Sequence, residues 1–231
     1  MVTDSPNPGP ILATPVQSAE LPFARLAALG RRAVAAHRPP EQHCELCSAV
    51  IPPQHNHLLE IAHRQIVCAC EACAILFADQ RAARYCRIPR RIVALPHFSL
   101  TDPQWESLHL PISLAFFTHS TPAQRVLALY PSPAGATESL LALEAWNDLV
   151  AANPILTTLQ PDVEALLVNR LGPTRDTYLA PIDECFKLVG LIRTHWHGLS
   201  GGLAVWQQVA TFFAALRQRA TVLPEDPHHV A

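Results

Sequence analysis

Two Cys-x-x-Cys knuckles, Cys44-Glu45-Leu46-Cys47 and Cys70-Glu71-Ala72-Cys73, restrict this chain more than anything else in it, because they stand about twenty residues apart. Each knuckle can wrap two thiolates round one side of a tetrahedral ion, and the chain between them carries the second pair to the opposite side. The spacing predicts a four-cysteine metal site with ligands Cys44, Cys47, Cys70 and Cys73. Zinc in a structural role is the expected ion. Iron, in a rubredoxin-like centre, is the alternative, and the absence of glycine after Cys47 (Ser48) and Cys73 (Ala74) counts against it. A fifth thiol, Cys68, lies next to the second pair; Cys70 and Cys73 are preferred because their i, i+3 spacing repeats that of the first.

What lies around the pairs suggests how they meet. Leu58–Ala62 and Arg64–Val67 are two strand-like runs with His63 between them, which predicts a hairpin. From Glu71 to Ala83 the chain is free of Gly and Pro and rich in helix formers, so the second knuckle should open a helix. Knuckle, hairpin and helix describe a treble-clef-like module; a zinc ribbon, lacking the helix, is the near relative. The amides of the first helical turn would favour ionised thiolates.

The whole fold is expected to be α+β: this four-cysteine module over 41–98, then a small antiparallel sheet covered by helices over 99–231. Residues 1–19 are proline-rich and unpatterned and read as a disordered tail. A helix over 20–40 follows from the stripe Phe23, Leu26, Ala27, Gly30 and Val34, and Pro39-Pro40 ends it. Beyond Pro96, Thr101 or Asp102 should cap a short helix with Pro103 in its first turn. The runs 112–118 and 125–130 should pair as a hairpin, and 163–168 with 177–180 as another, giving about four strands. Leu143–Ala152 should be a helix stopped by Asn153-Pro154, and two longer helices, each with an apolar stripe, close the chain. Tyr130–Glu138 is expected as a rigid turn between strand and helix.

Composition narrows the function. Across 231 residues, 49% are hydrophobic, ample for a core, yet only 16% are charged, below the roughly 25% usual for soluble domains. A surface so poor in charge favours burial against a partner or self-association, or else follows from an alanine- and proline-rich composition alone. A net charge of −2 and a pI near 6.6 give no electrostatic reason to expect nucleic acid. No signal peptide and no apolar run long enough to span a membrane is present, so a cytoplasmic setting without membrane insertion is expected, where thiols stay reduced and ligate metal.

Other candidates carry weaker signals. His55 and His57 lie in the turn Pro52–His57, as substitute ligands or solvent-exposed loop residues; with His63 they offer the start of an HNH-type nuclease core, which the helix after Cys73 does not complete. Arg87, Arg90 and Arg91 read as a solvated rim or a grip for a carboxylate-rich partner. His195 and His197 could bind a metal or a partner, but a histidine pair with no carboxylate nearby better suits a helix C-terminus, where imidazole complements the dipole. Cys86 and Cys185 read as buried small hydrophobes. No phosphate loop, nucleophile elbow, zincin motif or triad grouping appears, so a non-catalytic protein is expected.

Taken together, Cys44–Cys47, Cys68–Cys73, Tyr130–Glu138, Asn153-Pro154 and Pro181–Cys185 through Gly201-Gly202 resemble a bacterial family of unknown function. Its members are typically encoded beside high-affinity, actinobacterial-type nickel–iron hydrogenases. The resemblance implies an accessory role in hydrogenase maturation or assembly, with a hydrogenase structural subunit or a maturation protein as partner.

Overall fold

A computed structural model describes residues 41–78, 84–139, 143–198 and 201–222. The expected tail over 1–19, the helix over 20–40 and the extension of the knuckle helix over 79–83 lie outside these residues. The chain divides into two compact units, Met1–Glu41 and Gln42–Ala231, and all that follows concerns the second.

The fold is α+β. Its N-terminal part begins with a two-residue ladder, β1 (Gln42–His43) against β2 (Val50–Ile51), which closes the first knuckle. A three-stranded antiparallel sheet follows, built from β3 (Asn56–Glu60), β4 (Gln65–Ala69) and β5 (Tyr85–Arg87) in the order β4-β3-β5. The β3–β4 hairpin turns at 61–64, with Arg64 in the left-handed region at φ 53°. Helix α1 (Glu71–Ala78) leaves directly from the end of β4, as the knuckle-to-helix reading requires.

The larger part is a seven-stranded sheet of order β12-β6-β11-β10-β7-β8-β9. Its strands are β6 (Val93–Ala94), β7 (Leu114–Ser120), β8 (Arg125–Ser132), β9 (Gly135–Ser139), β10 (Glu164–Asn169), β11 (Asp176–Pro181) and β12 (Thr221–Val222). All neighbours are antiparallel except β12, which lies parallel to β6. Both expected hairpins, β7–β8 and β10–β11, are present. The sheet exceeds the expected four strands because β6 joins it from the segment 85–96, itself read as one or two short strands, because β12 is two residues, too short to leave a periodic signal, and because Tyr130–Glu138 is a third hairpin. There β8 runs on through Pro131 and Ser132 and turns back at Gly135, whose φ of 123° demands a residue without Cβ.

Helices cover both faces of this sheet. Along β7, Leu114 and Phe116 enter one core while Ala115 and Phe117 enter the other; along β10, Ala165 and Leu167 oppose Leu166 and Val168 in the same way. Strands buried on both sides are apolar without alternation, as these two are. The first face receives α4 (Ile182–His195) and α5 (Gly202–Arg219), through Cys185, Leu188, Ile192, Val209 and Phe213. The second receives α2 (Asp102–Ser107), α3 (Leu143–Ala152) and the 3-10 turn Pro154–Thr158, through Leu108, Leu149 and Leu156. Thr101 caps α2 in a capping box with Gln104, resolving the choice between Thr101 and Asp102.

The N-terminal sheet is tied into this core. Leu59 and Ile88 are buried with the α4–α5 face, whereas Ile51, Leu58, Val67 and Ala74 form a separate small cluster round Cys44 and Cys73.

Candidate metal centre

The four predicted cysteines converge. The sulfurs of Cys44, Cys47, Cys70 and Cys73 all lie within 4.8 Å of one another. Cys47 Sγ and Cys70 Sγ are 3.7 Å apart; the edge of a tetrahedron with metal–sulfur arms of about 2.3 Å is about 3.8 Å. All seven cysteines are free thiols. The donor set and spacing therefore fit one tetrahedral ion, a spacing that zinc and iron tetrathiolates share.

Local structure explains why the sulfurs point inward. In the first knuckle, Ser48 N–H donates to the Cys44 carbonyl at 2.7 Å and Cys44 N–H to the Ala49 carbonyl at 2.7 Å. Ser48 takes φ 61°, so the knuckle turn that glycine usually makes is made here by serine. Lack of a glycine after Cys47 thus says nothing for zinc over iron, contrary to the reading from sequence. In the second knuckle, β4 ends at Ala69 and the chain turns, leaving Cys70 at the mouth of α1. Cys73 N–H points at Cys70 Sγ at 3.5 Å, and Ala74 N–H donates to the Cys70 carbonyl at 2.9 Å, so the positive end of the helix faces a thiolate.

Burial and neighbours act on the thiols in opposite directions. Burial opposes ionisation of Cys44, but backbone N–H groups of Cys70, Leu46 and Cys47 outweigh it and bring the thiol down to about 6. Burial, reinforced by the three neighbouring sulfurs, pushes Cys73 well up. The Ala49 amide lowers Cys47, yet the adjacent thiols leave it raised. Four thiolates this close repel, and a dication between them removes the conflict.

The site is braced on two sides. Glu45 N–H donates to the Cys68 carbonyl at 2.9 Å, and the Glu45 carboxylate accepts from Cys68 N–H at 2.7 Å, clamping the first knuckle onto β4. At the start of α1, Glu71 accepts from Asn56 Nδ2 at 2.5 Å and from Arg87 Nη2 at 3.1 Å, while Arg87 and Arg90 both reach Asn56 Oδ1. Arg91 forks onto Glu164, which is fully buried at the start of β10. All three arginines keep exposed surface, as the rim expected from sequence requires, but the rim is paired: Arg87 and Arg90 brace β3 and α1 within the metal module, and Arg91 ties the segment after it to β10.

The remaining candidates fall as follows. His57 is on β3 rather than in the turn, and with His55 and Cys68 it makes a second grouping whose donor atoms lie within 4.8 Å of one another. His195 closes α4, its Nδ1 on the Leu191 carbonyl at 2.9 Å, as a helix C-terminus predicts. His197 N–H bonds the Gly201 carbonyl at 3.1 Å across the loop. His63 is largely exposed and pairs with Glu60 at 3.3 Å. Cys185 is fully buried, and burial pushes its thiol far up; Cys86 is half-buried and raised for the same reason.

Beside the centre, α1 exposes Ile75, Leu76 and Phe77, at 56%, 63% and 41%. Ala74, Ile75 and Ala78 also line a cleft of about 440 Å³ whose far wall is Gln160, Pro161 and Val163. No helix among the described residues is long and apolar enough to cross a membrane.

The fold and site define an α+β protein with a four-cysteine cluster in its N-terminal part, ahead of a sheet covered by helices on both faces. Residues 43–220 match the model of DUF5947, a family of unknown function, and the chain belongs to that family. No curated protein and no solved structure gives a significant match to the chain.

Proposed function

We propose that this protein is a non-catalytic accessory factor, in which a zinc tetrathiolate centre stabilises a docking module for a partner in nickel–iron hydrogenase maturation or assembly. The observation that carries the reading is the closed donor set: four sulfurs spaced as a tetrahedron use every coordination position of a zinc ion, which is how a structural site differs from a reactive one. The centre sits where the two knuckles meet, joined otherwise by the Glu45–Cys68 clamp, so the ion adds to a hydrophobic core that is small at this point.

Two features support a partner surface. Three consecutive large apolar residues, Ile75–Phe77, are exposed on the helix that the metal orients, and Ile75 also lines the cleft, whose walls mix apolar residues with Arg87 and Gln160. The low charge content of the chain fits the same role. The hydrogenase assignment rests on the resemblance of the motifs to proteins encoded beside such enzymes, and the free thiols suit a reducing, cytoplasmic compartment.

The test is affinity purification of the tagged, metal-loaded protein from a host that makes a high-affinity nickel–iron hydrogenase. Retention of the large or small subunit, or of a maturation protein, is expected. A bait that retains none of them, together with normal hydrogenase maturation in a deletion strain, would refute the assignment. An iron centre in place of zinc would show as visible thiolate-to-iron absorbance in protein purified without oxygen.

A further inference from the structure

We infer that His55, His57 and Cys68 form a second metal site, an open three-ligand centre for a zinc-class divalent ion, distinct from the four-cysteine cluster and adjoining it. The sheet register creates it. His57 on β3 and Cys68 on β4 are direct cross-strand partners, so their side chains leave the hairpin on one face. His55, in the turn before β3, brings its Nε2 to 3.2 Å from His57 Nε2, with the two rings nearly perpendicular. Two imidazole nitrogens on a tetrahedral ion with arms of about 2.0–2.1 Å are about 3.3 Å apart.

The outer nitrogens fix which atoms face the site. His55 Nδ1 lies 2.9 Å from the Pro52 carbonyl, which can only accept, so Nδ1 carries the proton. His57 Nδ1 lies 2.7 Å from Asp183 Oδ2, a carboxylate reached from the first turn of α4, 126 residues away. With both rings neutral, the two Nε2 atoms present lone pairs to each other at close range, an arrangement that a cation between them stabilises. A carbonyl behind one ligating imidazole and a carboxylate behind the other is how proteins orient histidine ligands and raise their basicity. Cys68 supplies the third donor, all three atoms falling within 4.8 Å of one another. The three residues are half-buried, so the fourth position opens to water or an incoming ligand, unlike the closed four-sulfur set. Because Glu45 of the first knuckle holds Cys68 through its backbone, one hairpin supports both centres.

Cobalt titration of the full-length, reduced, metal-stripped protein tests this. Wild type should bind two equivalents of Co²⁺. His55→Ala, in a surface turn, should bind one and keep the thiolate-to-cobalt charge-transfer band of the tetrathiolate centre. Asp183→Asn should still bind two, the second about 10–100-fold more weakly. Wild type saturating with one equivalent that His55→Ala also binds would overturn the inference, leaving two histidines that share a proton. So would an undiminished second equivalent in His55→Ala. Failure of the four-cysteine reading would instead appear as loss of the tetrathiolate band in every variant, with the His55-dependent equivalent still countable.

Discussion

Removing Arg91 should destabilise the protein by about 3 kcal/mol, because it strands a carboxylate inside the sheet. Glu164 is fully buried. Among the described residues, its Oε1 accepts only from Arg91 Nε, at 2.5 Å, and its Oε2 accepts from Arg91 Nη2 at 2.7 Å and Gln160 N–H at 2.9 Å. Arg91→Ala leaves Oε1 without a donor and Oε2 with one, and breaking a buried pair by deleting one partner costs about 3–5 kcal/mol. Arg91 is 42% exposed, so water can enter the vacated space, which places the cost at the low end of that range. The same guanidinium holds the Thr158 carbonyl at 3.0 Å, so the 3-10 turn should loosen as well. Urea denaturation of the metal-loaded protein measures the effect: with a slope of about 2–3 kcal/mol/M, the midpoint should fall by about 1 M. Adding Glu164→Gln to Arg91→Ala should restore at least half of the loss by removing the unpaired charge. An Arg91→Ala variant within about 1 kcal/mol of wild type, or a double variant no more stable than the single, would show that the pair does not bear the charge as argued.

Cys44→Ser should abolish tight zinc binding at the four-cysteine centre and unfold the knuckles around it, since binding and folding free energies are there one quantity; zinc content by plasma emission, beside near-ultraviolet circular dichroism, reports both. Gly201→Ala should cost more than about 1 kcal/mol in thermal or urea unfolding, because the backbone sits at φ 84° and an added Cβ would meet Val205 Cγ1 at 2.9 Å and Trp196 Cε3 at 3.0 Å. Leu76→Ser with Phe77→Ser should weaken retention of a hydrogenase partner at least about tenfold while leaving the melting temperature within a few degrees, since both side chains are exposed; unchanged retention would move the docking surface elsewhere. The Arg84 guanidinium beside Glu60 holds that carboxyl below the usual carboxylate range. With the folded value below the unfolded one, the stabilisation is present above about pH 4.3 and is lost as pH falls through the folded value. The melting temperature of Arg84→Ala should therefore lie below wild type at pH 7, with the gap closing toward about pH 3.

Much of the metal module was legible because its determinants are local. The i, i+3 cysteine pairs, the hairpin centred on His63 and the helix that starts at Glu71 each depend on neighbours within a few residues, and each is where the spacing puts it. The two apolar stripes at the C-terminus likewise become α4 and α5. What stayed hidden depends on pairing between distant segments. His55, His57 and Cys68 become a group only once β3 and β4 are in register and α4 delivers Asp183 behind His57. The spacing His55-x-His57 was the available signal, since alternate residues entering a strand lie on one face, but placing both in a turn concealed it. Arg91 looked like rim until β10 brought a buried carboxylate to it. The β8–β9 hairpin was missed because Pro131, late in β8, and Pro133, in the turn, made the segment read as a rigid turn between strand and helix.

The parallel seam between β12 and β6 ties the last strand of the described fold to the first strand of the large sheet in time as well as in space. Thr221 N–H bonds the Ile92 carbonyl at 2.9 Å, so the strand that emerges just after the metal module must wait for almost the entire remainder of the chain to be synthesised before its outer edge is covered. Until then a newly made chain carries an open sheet edge at β6, the kind of template on which other strands can add. The last two residues of the sheet thus act as a latch on a nascent chain, and a product cut short before Thr221 would leave the ribosome with that edge bare.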